Sequence, residues 1–285
     1  MLPKQQNVKK QQWITAGIGI CLVVLIYFFG RTVPVKETTS PVANGEQQVV
    51  TFDSILAHAK EKLTEEQVLR LTQLENSISR GNVQTQQLEV YHQLAHFWKD
   101  TARTFEPYAF YEAEAARLEN SEKNLTFAAH LFLSNLQAEG NPDLKNWKAR
   151  QAKDLFERSL KINPDNDSAI VGIGAAYLYG NISANPMEGI LKVREVIEKD
   201  STNIFAIMTL GRGSVISGQS DKAIERFEQA HRIDPANLEA ILSLADIYEK
   251  KGDNKQAINW YTKSLPLIQI PGLKVEVEKR INDLK

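Results

Sequence analysis

Short junctions of four residues recur at an almost fixed interval in the second half of this chain. They read Asn-Pro-Asp-Asn at 163–166, Asp-Ser-Thr-Asn at 200–203 and Asp-Pro-Ala-Asn at 234–237. Pro164 to Ser201 is a step of 37 residues and Ser201 to Pro235 a step of 34. Each junction separates two stretches with apolar residues at helical spacing, as in RFEQAHRIDPANLEAILSLADIY at 226–248. At that joint Asp234 suits the N-cap of the next helix, and Pro235 its first turn, where no N–H is needed. A self-similar period of this size is the mark of stacked helix pairs. One pair cannot bury its own apolar face, so its neighbours must cover it.

The units align residue by residue. The segment 204–237 places Ile207, Leu210, Gly211 and Ser214 on a first helix, then Ala223, Phe227 and Ala230 on a second, with Pro235 at its close. The next unit, 238–270, reads Ile241, Leu244, Ala245 and Tyr248, then Ala257, Tyr261 and Ser264, with Gly252 in the turn. The preceding unit, 167–203, has Ile170, Ile173, Gly174 and Tyr177, then Gly189, Val193 and Val196, with a turn lengthened by 180–186. This pattern resembles the tetratricopeptide repeat (TPR) family. Weaker units extend the resemblance over 88–270. One has its first helix at 125–136, a long connection through 137–148, and a second helix with Ala152, Phe156 and Ser159. Another places Tyr91, Leu94, Ala95 and Trp98 before Ala109, Ala113 and Ala116. Small residues at 174, 211 and 245 are expected to face Gly189, Ala223 and Ala257, with Phe227 and Tyr261 filling the space beside them. The fold expected is all-α. The resemblance implies a solenoid of helical hairpins wound as a right-handed superhelix.

The N-terminus reads differently. Residues 1–12 form a short basic tail, and WITAGIGICLVVLIYFFG at 13–30 is 18 residues without a charge. As a helix that is about 27 Å, close to a bilayer core of roughly 30 Å. Trp13 and Tyr27 stand near its ends, where such rings favour the interface. The stretch is longer than a signal-peptide core and lacks a small-x-small cleavage site, so an uncleaved anchor is expected. Lys4, Lys9 and Lys10 put the N-terminus inside, and the repeats then lie across the cytoplasmic membrane, in the periplasm of a Gram-negative cell. Residues 31–50, rich in Pro, Thr and small polar side chains, read as a flexible tether. Helices in 51–87 cover one end of the solenoid, with Thr64 and Gln67 as a capping box. A charged helix in 271–285 covers the other.

Composition narrows the function. Residues 1–12 hold three lysines and no acid; the rest holds 31 basic and 35 acidic side chains, a balance of −4 that suits no nucleic acid. Cys21 is the one cysteine and lies in the apolar stretch, so no internal disulfide or cysteine-ligated zinc can form. His92 and His96 share a helix face, but HQLAH lacks the glutamate of a zinc-protease helix and a third ligand. Glu112, Glu114 and Glu119 beside Arg117 read as a solvated charged face. No catalytic, cofactor-binding or metal site is expected, and the chain is read as a scaffold rather than an enzyme. The resemblance extends to membrane-anchored TPR proteins of bacterial envelopes, which implies protein recognition on a concave face. Its alternative is a TPR subunit of a membrane enzyme or of cytochrome c maturation.

In the TPR pattern the first-helix positions two, five, nine and twelve line that concave face. Here they are Ser168, Val171, Ala175 and Leu178, then Phe205, Met208, Arg212 and Val215, then Glu239, Leu242, Asp246 and Glu249. An apolar lining that turns acidic implies a helical or extended partner segment carrying some positive charge.

Overall fold

A computed structural model describes residues 50–80, 84–180, 182 and 185–285. The basic tail, the expected span at 13–30 and the tether up to residue 49 lie outside the described residues. Among the described residues no helix is long and apolar enough to cross a membrane.

Thirteen α-helices and no strand are found among the described residues. They are α1 (Phe52–Lys60), α2 (Glu65–Arg80), α3 (Gln84–His96), α4 (Phe105–Glu119), α5 (Glu122–Asn135) and α6 (Pro142–Ile162), followed by α7 (Asp167–Gly180) and α8 (Met187–Lys199). Then come α9 (Ile204–Ile216), α10 (Ser220–Ile233), α11 (Leu238–Lys250), α12 (Asn254–Ser264) and α13 (Pro271–Asp283). From α3 to α12 they pair as five consecutive hairpins, each packed on the next. The first helices of successive units also meet: α5 touches α7, and α7 touches α9. The result is an all-α solenoid.

The junctions work through their outer asparagines and aspartates. Asn166, Asn203 and Asn237 are the caps: their side-chain oxygens accept from Ala169 N (3.0 Å), Ala206 N (3.0 Å) and Ala240 N (2.9 Å). The first residue of each junction closes the turn instead. Asn163, Asp200 and Asp234 accept from the backbone N–H two residues on, at 3.2, 2.9 and 3.0 Å. Asp234 is therefore not the cap that its place before Pro235 suggests. Pro235 sits in the turn, where its fixed φ is preset, and Asn237 has the extended φ and ψ that an N-cap needs.

A second correction concerns the stretch 137–148. Most of it is helix, because α6 begins at Pro142 with Asn141 Oδ1 accepting from Asp143 N (2.9 Å) and Leu144 N (3.1 Å). Asn before Pro at the first helical position is itself a start signal. At the N-terminal end the capping box forms: Thr64 N donates to Gln67 Oε1 (3.0 Å) and Gln67 N to Thr64 Oγ1 (3.3 Å). α1 packs on α4 through Phe52, stacked on Phe110 with ring centres 3.4 Å apart. The first helix of the first unit starts at Gln84, inside the stretch read as caps, and ends in a π-helical turn, Phe97–Thr101. That wider turn buries both Phe97 and Trp98.

Candidate protein-binding groove

The inner face of the first helices is more closed than the pattern implies. Val171 and Ala175 are wholly buried, and Ser168 is tied to His130 Nε2 on α5 at 2.8 Å. Phe205 leans on the His130 ring (5.3 Å between centres), and Met208 is 3% exposed among Ile207, Ile241 and Leu244. Phe205 and Met208 are thus not an open apolar lining. Adjacent first helices press together at these positions, and their side chains become packing between units.

Asp246 and Glu249 are also taken. The Tyr261 hydroxyl lies 2.5 Å from Asp246 Oδ1 and 2.6 Å from Glu249 Oε2, its one proton shared between the two carboxylates, and Arg280 on α13 donates to Asp246 Oδ1 at 3.0 Å. α13 neutralises the acidic stretch that the sequence offers to a partner. Leu242 is half-buried.

What stays open is a cleft of about 320 Å³ across α7, α9 and α11. Tyr179, Arg212, Val215, Ile216, Glu239 and Ser243 line it, and Gln137 and Lys145 reach in from the start of the α5–α6 connection and α6. Val215 is 40% and Ile216 64% exposed, so its apolar wall faces solvent. Arg212 Nε donates to Glu239 Oε1 at 2.5 Å, which joins α9 to α11. Burial opposes the Arg212 charge, but the Glu239 carboxylate and Tyr179 more than offset it and raise its pKa. With its oxygen turned inward, the Gln137 amide accepts from Arg212 Nε and Nη1 at 3.3 Å. Burial pushes the Tyr179 phenol up to about 12, so it stays protonated and donates to Thr209 O at 3.0 Å. Arg212, Val215 and Glu239 of the expected lining belong to this cleft; Tyr179, Ile216, Ser243, Gln137 and Lys145 were not foreseen.

The packing residues take these places. Gly174 and Gly189 meet backbone to backbone, while a Cβ on Gly211 would strike the ring of Phe227 at 2.7 Å rather than Ala223. Ala223, Ala245, Ala257 and Tyr261 are buried, and Tyr177 and Tyr248 are half-buried.

One cluster went unread in the sequence. Lys148 is 0% exposed, and its Nζ meets Glu106 Oε1 (2.8 Å), Glu139 Oε2 (2.6 Å) and Asn135 Oδ1 (2.6 Å). It pins α4, α5 and the connection to α6 together. Burial works against the Glu139 charge, but the Lys148 ammonium and the Asn141 N–H hold its carboxyl below the usual range. The signal was present: Lys148 continues the buried stripe Ala152, Leu155, Ser159 at helical spacing. Arg117 is likewise not a solvated charge, because it binds Glu114, Gln151 and Asp154 and so clamps α4 to α6. His92 lies 3.9 Å from Glu112 and 3.8 Å from Glu119, and His96 faces Asp100. Among the described residues no group of three or more His, Cys, Asp or Glu is placed to hold a metal ion.

Residues 215–266 match the family model described as tetratricopeptide repeat, from the end of α9 through α12. These are tetratricopeptide repeats. Three solved structures illustrate the likeness. YrrB, a TPR protein with an unusual peptide-binding site, is 16% identical over 72% of this chain and 97% of that one, with a TM-score of 0.40. MamA from Desulfovibrio magneticus RS-1 is 22% identical over 63% and 94%, at 0.42. TTC0263, a thermophilic TPR protein in Thermus thermophilus, is 14% identical over 71% and 98%, at 0.49. None of the curated proteins matches the chain. The matched segment covers the last hairpins of the solenoid, and the same hairpin architecture runs back to α3.

Proposed function

We propose that this chain is a non-enzymatic, membrane-anchored TPR adaptor that holds a partner protein at the outer face of the cytoplasmic membrane, in envelope protein assembly or maturation. The uncharged stretch 13–30 and the lysines before it support the anchor and its orientation. The binding role rests on one observation, the exposed Val215–Ile216 wall beside the Arg212–Glu239 pair in an open cleft. A helical or extended segment fits there with an apolar side chain on that wall. Its backbone would meet Gln137, Ser243 and the ion pair. With Asp246 and Glu249 already bound, the groove asks for apolar contact rather than positive charge. A role as a subunit of a larger membrane enzyme uses the same groove.

The test is photo-crosslinking in intact membranes from position Val215. A discrete adduct is expected that disappears with Ile216→Glu and is absent from a probe at Ile233 on α10. The same adducts from both positions, or an adduct indifferent to Ile216→Glu, would sink the groove reading.

A further inference from the structure

A second cleft, of about 350 Å³, opens between the hairpins α7–α8 and α9–α10. It meets α9 and its C-cap along Leu210, Gly213, Ser214 and Ser217, whereas the groove uses Arg212, Val215 and Ile216. At 3.6 residues per turn these stripes lie roughly 150° apart on the helix, so the two clefts are separate. The floor is apolar: Leu178, Ile190 and Leu210. Gly213 keeps it open, since a Cβ there would already stand 3.4 Å from Leu178 Cδ1 and anything larger would fill the space.

The rim carries Arg194, Lys222 and Arg226 against the single carboxylate of Glu225. Two of the three cations are satisfied only by neutral amides. Lys222 Nζ donates to Gln219 Oε1 at 2.7 Å, and Arg226 Nη1 donates to Gln229 Oε1 at 3.1 Å. Arg194 has Glu198 at 4.0 Å, on the exposed side of α8. Among the described residues Lys222 and Arg226 pair with no carboxylate. A carboxylate acceptor would neutralise these charges, and could meet the Arg226 fork with two parallel bonds, which a neutral amide cannot do.

We propose that this cleft is a second binding site, and that its ligand is an acidic peptide segment carrying one large apolar side chain. Carboxylates meet the rim and the apolar group fills the floor. A nucleic-acid backbone has the charge but no apolar group for the floor, and Glu225 opposes a dense phosphate array. A lipid surface offers charge on a plane, whereas these cations ring a recess.

The full-length protein in detergent is titrated at low salt with a fluorescein-labelled peptide, Asp-Glu-Asp-Leu-Phe-Asp-Glu-Asp, and with its Asn/Gln counterpart. Saturable binding of the acidic peptide alone is expected, about tenfold weaker with Lys222→Glu/Arg226→Glu and with Gly213→Leu. Ile216→Glu should leave it unchanged, which separates this site from the groove. Arg194→Glu, at an exposed position, repeats the test if either variant loses helicity. Absence of saturable binding overturns the proposal, as does binding indifferent to all three variants. Phosphatidylglycerol vesicles that need these cations where the peptide does not would overturn it too.

Discussion

Gly174 and Gly189 touch through their backbones. A Cβ on Gly174 would stand 2.8 Å from the carbonyl oxygen of Gly189, and one on Gly189 would stand 2.6 Å from that of Gly174. Neither obstacle is a side chain that can swing away. α7 and α8 therefore cross with nothing between them, and the Val193 side chain closes the gap beside them.

Gly189→Ala is expected to destabilise the protein by roughly 1–3 kcal/mol, the cost of forcing atoms into a filled contact. Alanine gains about 1 kcal/mol in helix propensity, which offsets only part of the strain. Gly140→Ala, where a Cβ meets nothing within 4 Å, should stay within about 0.5 kcal/mol. Urea denaturation of both variants decides the matter. An unperturbed Gly189→Ala would mean that the helices part freely.

The solenoid was legible because hairpins repeat: the junction asparagines, the small residues at 174 and 189 and the apolar stripes all report short-range geometry. The site was less legible for a reason of range. Whether Met208 lines a groove or packs between units depends on how closely α9 approaches its neighbours, which no single repeat encodes. Asp246 and Glu249 look free until Arg280 arrives from 34 residues away. Gln137 enters the groove from the α5–α6 connection and Lys145 from the start of α6, which begins at Pro142, within the stretch that reads as a long connection.

Lys148→Met should cost about 3–5 kcal/mol, because Glu106 and Glu139 would be left facing each other without a cation. Adding Glu106→Gln and Glu139→Gln should return much of that loss, since a neutral cluster keeps hydrogen bonds without an uncompensated charge. Chemical denaturation of the single and triple variants tests this. If the triple variant is as weak as the single one, the cluster acts through packing and not through charge.

His130 supplies a pH dependence. Burial lowers its pKa from 6.5, where it packs edge-on to Phe156 and contacts Ser168. The unfolded chain takes up this proton first, so the folded state loses stability as pH falls below about 6.5, down through the folded pKa. His231, also lowered by burial and by Lys263, adds in the same direction. Glu139 acts in a separate window: its folded pKa lies below 4.5, and its contribution is present above that value and lost on further acidification. The denaturation midpoint should drop between about pH 7 and pH 5.5, and drop less in His130→Gln. Parallel profiles for the two proteins would assign the dependence elsewhere.

The proposed orientation has a direct consequence for proteolysis. In spheroplasts, protease added outside should digest the repeats and leave a short fragment containing 1–30. In inverted membrane vesicles the repeats should be protected. The opposite pattern would place the solenoid in the cytoplasm and remove the envelope role.

The C-terminal helix makes the last case. Arg280 is about two-fifths exposed, so its ion pairs with Asp246 and Glu249 are screened by solvent, and Arg280→Ala should cost under about 1 kcal/mol. Tyr261 is different: its ring is buried and its hydroxyl lies against both carboxylates, so that burial first, and then Asp246 and Glu249, raise its pKa far above the usual value. Tyr261→Phe keeps the packing and removes the one proton that the two carboxylates share, at a cost of about 1.5–3 kcal/mol. The two variants should also part in binding. Arg280→Ala leaves Asp246 and Glu249 exposed and folded, so a lysine-rich peptide should bind this variant and not the original protein. Thermal melts and anisotropy titrations measure the pair of effects. Equal destabilisation by the two substitutions, with no gain of basic-peptide binding in Arg280→Ala, would show that α13 shields these acids by packing and not by its charge.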